Sequence, residues 1–386
     1  MNKLIPFIIF VTAFIALYGL LHFYFYRKVM KAFGMSGSSH LLLIIILCFL
    51  LISPIIINIL ADSDQFLLTR ILAYIGYIWM GALLLFCFIN LAVDIYSLII
   101  HVSARISTAA LLRYIPGNRL VLILSLLMVI GIVIYGRFES GDIRVEHIDF
   151  RTAKLPHEVG NLRVALIADI HFSPTNGLRL AQKIGRIIEE QKPDLLVSAG
   201  DLLDKGVQDK KAVTAVFRNI PVPYGKYATT GNHEFITGIK ESVEFTEEAG
   251  FRMLRNENVL VGDFLNILAI DDPAGKRFGD GYQVPESKVL EGFSPDRLNL
   301  FLKHQPVIEK SSPGKFDIQL SGHTHDGQIF PFNLVVSLFY HYMSGLYNVG
   351  NGSCLYVSRG TGTWGPPIRF LAFPEITVMD FKPLDN

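Results

Sequence analysis

Charged residues are scarce in this sequence, and the scarcity is confined to its first third. Of the 386 residues, 18% are charged, whereas soluble domains carry about 25%. Only 11 of the first 135 residues are charged, none of them Glu, against 58 of the remaining 251. The net charge of +1 is therefore an average over two unlike parts. The first part has too little charge for an ordinary water-soluble domain.

Other absences narrow the class of protein. The sequence has no internal repeat, low-complexity tract or basic stripe, which excludes a disordered, collagen-like or nucleic-acid-binding protein. Cysteine is rare. Cys48 and Cys87 lie in apolar runs, and Cys354 stands alone in the polar part. No disulfide framework can therefore form within the C-terminal part. Nothing in the sequence indicates an obligate protein partner.

The first part contains long uncharged runs instead. They predict transmembrane helices over residues 4–26, 41–60, 71–93 and 120–136, because about 20 apolar residues span a bilayer and about 17 is the lower limit. The first run is too long for the core of a signal peptide, so we expect it to be retained. None of the runs has the polar face of a helix in a soluble bundle. Residues 1–136 are thus predicted to form an all-α four-helix transmembrane region, with the lipid bilayer as partner.

Basic residues in the short loops predict the orientation of these helices. They follow the first run and precede the fourth, at Arg27, Lys28, Lys31, Arg105, Arg113 and Arg119. Because cytoplasmic loops are enriched in Lys and Arg, we expect a multi-pass protein of the cytoplasmic membrane with its C-terminal domain on the extracytoplasmic side. Asp94 has two interpretations, an intramembrane functional acid or an interfacial residue. The polar Ser97 and His101 just after it favour the interface.

The second part has the pattern of a layered α/β domain. We assign residues 137–160 to a linker with a first strand and residues 161–386 to the domain itself. Short apolar runs alternate with amphipathic stretches, which predict helices over Gly177 to Gln191 and Asp209 to Asn219. Strands are predicted at Val164 to Ala168, Leu195 to Ser198, Tyr227 to Thr229, Leu265 to Ile270, Leu298 to Leu302, Ile318 to Leu320, Leu355 to Ser358 and Ile376 to Phe381.

Polar side chains follow five of these strands directly. They are two carboxylates, one amide and five imidazoles, namely Asp169, Asp201, Asn232, His171, His233, His304, His323 and His325. Ligands of layered α/β proteins bind beyond the carboxyl ends of the strands, so these groups should share one cleft. Carboxylate and imidazole suit Mn, Fe or Zn, and the lack of cysteine argues against a structural zinc site. Eight groups are too many for one ion, whereas two ions bridged by a carboxylate and a hydroxide fit the count.

The ordered motifs resemble the signature of the calcineurin-like metallophosphoesterase superfamily. That signature is Asp-x-His, Gly-Asp-x-x-Asp, Gly-Asn-His followed by Glu or Asp, a lone His, and Gly-His-x-His. It is matched here by Asp169, His171, Gly200, Asp201, Asp204, Gly231 to Glu234, His304, Gly322, His323 and His325. The chain's ending is similar to the bacterial membrane-associated branch that includes YkuE and YaeI. The resemblance implies an α+β layered fold of two packed mixed β-sheets flanked by helices.

The resemblance also implies roles for the residues. One divalent ion would be held by Asp169, His171, Asp201 and His325, and a second by Asp201, Asn232, His304 and His323, with Mn²⁺ favoured over Fe or Zn. Asp201 would bridge the ions and His233 would protonate the leaving oxygen or brace the phosphoryl group. Glu234 or Asp204 would orient imidazoles. The predicted enzyme is a metal-dependent phosphoric ester hydrolase in which a metal-bridging hydroxide attacks a phosphodiester or phosphomonoester.

The substrate prediction rests on an uncharged stretch after the last motif. Residues 329–343, here called the apolar segment, contain no charge, so they either face the membrane beside the site or form a core helix. The first interpretation predicts a lipid-linked or envelope substrate. The alternative function is a pyrophosphatase for a nucleotide-sugar lipid such as UDP-diacylglucosamine. Arg359 and Arg369 are candidate phosphate contacts because guanidinium pairs with phosphate in a fork, although salt bridges would equally explain either residue.

Overall fold

The computed structural model describes residues 4–278 and 284–384. Long helices come first, and a domain of two β-sheets follows. The long helices are α1 (Leu4–Phe33), α2 (Gly37–Ala61), α3 (Phe66–Ile106) and α4 (Asn118–Glu139), with a 3₁₀ turn at Ala109–Tyr114 between the last two.

The long helices are apolar on nearly all sides. Three segments among the described residues are long and apolar enough to cross a bilayer, namely Gly37–Ala61, Phe66–Ile106 and Ala109–Glu139. The chain is a membrane protein. All four predicted spans lie inside helices, and α3 runs past its predicted end because helical hydrogen bonding continues through the polar residues that follow Asp94.

The first sheet is mixed, and its strand β1 directly follows the long helices in the chain. Its order is β1-β12-β2-β3-β4-β5, parallel throughout except for the antiparallel pairing of β12 with β2. Its strands are β1 (Arg144–Thr152), β2 (Leu162–Ile167), β3 (Leu195–Ser198), β4 (Lys226–Ala228), β5 (Arg252–Met253) and β12 (Glu375–Pro383). The helices between these strands are α5 (Leu178–Gln191), α6 (Lys210–Arg218), α7 (Asn232–Thr237) and α8 (Ile239–Glu248).

The second sheet is also mixed, in the order β10-β11-β9-β8-β7-β6. Its central strands are parallel and the two outer pairs are antiparallel. Its strands are β6 (Glu257–Val261), β7 (Leu265–Ala269), β8 (Leu298–Leu302), β9 (Ile318–Ser321), β10 (Gly345–Gly350) and β11 (Ser353–Val357). Three short helices accompany it, α9 (Ala274–Phe278), α10 (Glu286–Val289) and α11 (Asn333–Val336). The predicted class, two mixed sheets flanked by helices, is confirmed.

Alternating side chains divide the core into layers. On β2, Val164 and Leu166 face the second sheet and pack with Leu300, while Ala165 and Ile167 pack against the helices outside the first sheet. This follows from the two-residue period of a strand. Because both faces of β2 are buried, its sequence is a continuous apolar run rather than an alternating one.

The domain docks on α3 and on the C-terminal end of α4. A Cβ atom on Gly81 would lie only 3.1 Å from Ile368 Cδ1, so this glycine permits close contact. The backbone N–H of Arg369 donates to the Gly136 carbonyl at 3.0 Å, and the N–H of Ala372 donates to Glu139 Oε1 at 2.8 Å. The loop that contains Arg369 therefore sits directly against the helical bundle.

Candidate metal centre

The predicted donor residues come together at the carboxyl ends of neighbouring strands. Asp169 and His171 follow β2, Asp201 follows β3, Asn232 begins α7 after β4, His304 follows β8, and His323 and His325 follow β9. Several have left-handed backbone angles, which are uncommon for residues with side chains and concentrate at functional sites. The φ angle is +53° at Asp169, +50° at His171, +57° at Asp201, +75° at His323 and +50° at His325.

Two glycines leave room for the carboxylates. A Cβ atom on Gly322 would lie 2.1 Å from Asp169 Oδ2, and one on Gly231 would lie 2.2 Å from Asp201 Oδ1. No side chain fits at either position, so the motif glycines are required by the packing of the donors themselves.

The donor atoms form two groups that share one carboxylate. In the first group, His171 Nε2 lies 3.1 Å from His325 Nε2, and His325 Nε2 lies 3.5 Å from Asp169 Oδ1. The second group contains Asn232, His304 and His323. Asp201 Oδ2 lies between the two groups, 3.6 Å from His171 Nε2 and 3.2 Å from His304 Nε2.

The second group is equally tight. His323 Nδ1 lies 2.9 Å from Asn232 Oδ1 and 3.1 Å from His304 Nε2. His304 Nε2 is 3.2 Å from the same amide oxygen. These spacings match ligands gathered around a common ion, since donor atoms at about 2.1 Å from one ion lie about 3 Å from one another.

In three of the histidines, the hydrogen bond of the outward-facing ring nitrogen determines whether the inward-facing nitrogen has a lone pair for a metal ion. His304 Nδ1 donates to the Ala199 carbonyl at 2.7 Å, His171 Nδ1 faces Asp204 Oδ1 at 3.3 Å, and His323 Nε2 faces the Tyr340 hydroxyl at 2.7 Å. Each hydrogen bond leaves a lone pair on the inward nitrogen. These lone pairs face one another and the oxygens of Asp201 and Asn232. Lone pairs that face one another repel, and a cation bound between them removes that repulsion. The set of ligand atoms therefore fits two divalent ions.

The carboxylates and imidazoles of the centre shift one another's pKa values. Burial opposes a charge on His304, but Asp201 and Asp169 outweigh it and raise the pKa of His304 well above its ordinary value. Burial would raise the pKa of Asp201, but the imidazoles around it, His304 first, hold it well below the usual range. Burial lowers the pKa of His323 to about 3, and the neighbouring His304 adds to the effect. Burial likewise lowers the pKa of His325 well below its ordinary value. His323 and His325 are therefore neutral at physiological pH, as metal-binding imidazoles must be.

His233 lies beside the donor groups, outside the ligand set that the resemblance implies. Its Nδ1 is 2.6 Å from Asp204 Oδ1, and its backbone N–H donates to Asp201 Oδ1 at 2.8 Å. Burial opposes a charge on this ring, but Asp204 and Asp201 outweigh it and raise its pKa to about 9. Asp204 holds both His233 and His171, as an orienting carboxylate should.

Glu234 orients the backbone rather than an imidazole. Its two oxygens accept the N–H groups of Asp201 at 3.0 Å, Leu202 at 2.9 Å and Gly231 at 2.6 Å. Burial, reinforced by the Asp201 charge, raises its pKa to about 7. Of the two carboxylates predicted to orient imidazoles, Asp204 contacts them, whereas Glu234 fixes the loop that presents Asp201.

Two aromatic residues of the site were not predicted. The Tyr340 hydroxyl contacts His323 Nε2 and donates to Gln305 Oε1 at 3.4 Å. The Trp364 ring lies edge-on, 5.9 Å from the His233 ring, and is 53% exposed. Tyr340 lies in the uncharged apolar segment, where no motif marks its hydroxyl as part of the site.

The two arginines predicted to contact phosphate are engaged elsewhere. Arg369 is fully buried, and its guanidinium donates to the carbonyls of Gly362 at 2.8 Å and Ala372 at 2.9 Å. Arg359 Nη1 pairs with Glu375 Oε2 at 2.6 Å. Arg369 therefore braces the loop against α4, and Arg359 forms the salt bridge that was the alternative interpretation. Neither geometry is that of a phosphate contact.

The apolar segment is buried at its start and exposed further along. Ile329 is buried with residues of the helical bundle, whereas Leu338 is 80% and Phe339 is 77% exposed. Only Asn333–Val336 forms a short helix, so the segment is no core helix. Its exposed tip lies close to the metal centre, because Tyr340 reaches His323.

Comparisons with known proteins agree with this geometry. The family model described as calcineurin-like phosphoesterase matches residues 162–327. A metallophosphoesterase of Aquifex aeolicus is 33% identical over 253 residues, 65% of this chain and 97% of the relative. YkuE of Bacillus subtilis, also named a metallophosphoesterase, is 31% identical over 64% of this chain and 89% of its own. A transmembrane protein with metallophosphoesterase domain from Danio rerio is 30% identical over 67% of this chain and 62% of its own.

Proposed function

From the membership of this chain in the calcineurin-like metallophosphoesterase family, which makes it a metal-dependent phosphoester hydrolase, we propose that it cleaves a phosphate ester carried by a membrane amphiphile. The position of Asp201 Oδ2 between the two donor groups carries the chemical part of this proposal. The exposed apolar segment beside those groups supports the part that concerns the substrate.

The residues of the centre have distinct tasks. When bound, two divalent ions supply an activated water as nucleophile and neutralise charge on the phosphoryl oxygens. Asp169, His171, Asp201 and His325 would hold one ion, and Asp201, Asn232, His304 and His323 the other. His233 turns Nδ1 toward Asp204, so its Nε2 is the atom that can donate a proton to the leaving oxygen.

The surroundings of the centre favour an amphiphile over a soluble ester. Leu338, Phe339 and Trp364 are more than half exposed, and large exposed apolar side chains next to a site mark a surface for lipid or for an apolar ligand. The domain is also fixed to the C-terminal end of α4 by direct hydrogen bonds. A substrate that stays in the bilayer would therefore meet the centre without leaving the membrane surface.

The experiment compares two esters that share one scissile bond. Purified full-length protein in lipid nanodiscs, supplied with Mn²⁺, Fe²⁺ or Zn²⁺, is assayed on a short-chain soluble phosphodiester and on its long-chain analogue. We expect Mn²⁺ to support turnover and kcat/KM to be at least about tenfold higher for the long-chain ester, the yield of a few buried CH₂ groups. Equal or higher kcat/KM for the soluble ester contradicts the lipid part of the proposal.

A double variant tests whether the apolar segment causes the preference for the long-chain ester. Leu338→Ser with Phe339→Ser should abolish the preference for the long chain and leave turnover of the soluble ester unchanged. The matched control is Leu260→Ser, because Leu260 is 46% exposed on the outer strand β6. An unchanged preference in the double variant shows that the apolar segment does not bind substrate. A nucleotide-sugar lipid in the same assay reveals a pyrophosphatase by release of UMP.

We also propose that the domain lies outside the cytoplasmic membrane. The Arg119 side chain donates to the Ala32 carbonyl at 2.8 Å, so the two basic loops lie at one end of the bundle and the domain contacts the other. Lys and Arg favour the cytoplasmic end. Protease added to intact cells should cleave the domain, and cleavage only after lysis contradicts this orientation.

A further inference from the structure

A groove between α1 and α3 lies at the end of the bundle away from the metal centre. It encloses about 510 Å³ and lies beside the end of α1, where Arg119 at the start of α4 contacts Ala32. The domain contacts the opposite end of α4, at Gly136 and Glu139. A 22-residue helix is about 33 Å long, so the basic end of the groove lies about one bilayer thickness from these domain contacts.

The groove has apolar walls and a cationic end. Leu20, Phe23 and Leu91 line the walls and are each more than half exposed. Three basic residues, Arg27, Lys28 and Lys31, line its end. The walls would face acyl chains and the basic end would face the headgroup region.

Its charges are only partly balanced within the protein. Lys28 Nζ lies 2.5 Å from Asp94 Oδ1, and the Tyr24 hydroxyl donates to Asp94 Oδ2 at 2.7 Å. Within residues 4–278 and 284–384, Arg27 and Lys31 make no salt bridge and no side-chain hydrogen bond. Three cations and one carboxylate leave the groove with an excess of about two positive charges.

We propose that this groove binds an anionic phospholipid, with its phosphate at Arg27 and Lys31 and an acyl chain along Leu20, Phe23 and Leu91. Guanidinium and ammonium donors match phosphate oxygens, and basic pockets between membrane helices bind anionic headgroups. A zwitterionic choline headgroup would bring its own ammonium close to Arg27, Lys28 and Lys31. The proposal is independent of the substrate at the metal centre and requires only that α1, like α3, lies in the bilayer.

Native mass spectrometry of the full-length protein tests it. The protein is exchanged into detergent that contains phosphatidylglycerol, phosphatidylcholine or inorganic phosphate alone, and the bound fraction is measured as the ligand is diluted. We expect retention of phosphatidylglycerol at least about tenfold above that of phosphatidylcholine, since each basic residue near an anionic surface strengthens binding several-fold. Equal retention of the two lipids, or binding of inorganic phosphate as tight as that of the lipid, overturns the proposal.

Variants with opposite effects make the test specific. Arg27→Gln with Lys31→Gln should lower phosphatidylglycerol retention about tenfold or more, whereas Asp94→Asn should raise it by freeing Lys28. Arg105→Gln with Arg113→Gln is the matched control, because it removes two basic residues that do not line the groove. If the control lowers retention as much as the groove variant, or if Asp94→Asn lowers it, the groove is not the site.

Discussion

The metal centre and the apolar segment are neighbours built on opposite principles. Asp169 and His304 are fully buried, whereas Leu338 and Phe339 are mostly exposed. Buried donors are held by backbone hydrogen bonds and left-handed turns, which fix their geometry before any ion or substrate arrives. The exposed tip of the apolar segment makes few contacts with the rest of the protein, so it provides an apolar surface rather than a fixed arrangement of groups. We infer that the centre supplies the reaction and the segment supplies access to it.

The largest effect should come from the residue shared by the two donor groups. Asp201→Ala removes the oxygen between His171 and His304 and should lower kcat/KM by about 10³-fold or more on soluble and long-chain esters alike, because several kcal/mol of charge stabilisation are lost. Metal content measured by mass spectrometry should fall as well. Asp149→Ala, which removes an exposed carboxylate paired with Lys382, is the control and should be silent.

An equal loss on both esters is essential to the comparison. If Asp201→Ala reduces turnover of the long-chain ester but spares the soluble one, the centre also governs access, and the division of labour fails.

The next effect should depend on the leaving group. His233→Ala removes the group whose Nε2 can donate a proton, while the donor residues and their metal content remain. We expect kcat to fall about 10²-fold for an alkyl ester and much less for a nitrophenyl ester, whose leaving oxygen needs no proton. Full activity on the alkyl ester with both ions bound would show that His233 is no acid.

A smaller effect should come from the carboxylate behind Asp201. Glu234→Gln keeps the shape of the side chain but replaces one of the two oxygens that accept backbone N–H groups with a donor. Supports of this kind are worth about 10- to 100-fold in metal affinity or activity. We expect the lower end of that range, read as a weaker apparent affinity for Mn²⁺, since one oxygen still accepts. Unchanged affinity would mean that the loop keeps its form without Glu234.

The sequence predicted the buried side of this comparison better than the exposed one. β3 and β8 have the bounds predicted for them, Leu195–Ser198 and Leu298–Leu302, because both are buried, mostly apolar segments flanked by charged or turn residues. The donors then follow from position alone. β10 was missed because it borders the second sheet and its residues alternate between half-buried and exposed, so it forms no apolar run.

Residues that act through the folded backbone could not be read from the pattern. Arg369 looks like a surface cation in the sequence, yet the carbonyls of Gly362 and Ala372 enclose its guanidinium. Those acceptors are main-chain carbonyls. Because every residue has one, no pattern of side chains in the sequence indicates where they will lie. For the same reason the sequence left the orienting role open between Glu234 and Asp204, since the partners of Glu234 are backbone N–H groups.

The smallest effect tests the one residue that belongs to both regions. Tyr340 lies in the apolar segment, but its hydroxyl contacts His323 Nε2 and so can fix the tautomer that turns Nδ1 toward Asn232. A neutral hydrogen bond contributes about 0.5–1.5 kcal/mol, so Tyr340→Phe should weaken Mn²⁺ affinity about two- to tenfold. The ring remains, and the preference for the long-chain ester should therefore persist.

Tyr342→Phe is the matched control for this variant, because the Tyr342 ring packs on His341 and Tyr347 rather than on a donor imidazole. Metal titrations followed by activity on the soluble ester separate the two substitutions, since saturating Mn²⁺ should restore Tyr340→Phe to nearly full kcat. If Tyr340→Phe instead lowers the preference for the long chain and leaves Mn²⁺ affinity unchanged, its hydroxyl serves access rather than the centre. Tyr340 would then belong to the apolar segment alone, and His323 would be the first residue of the metal centre that the segment contacts.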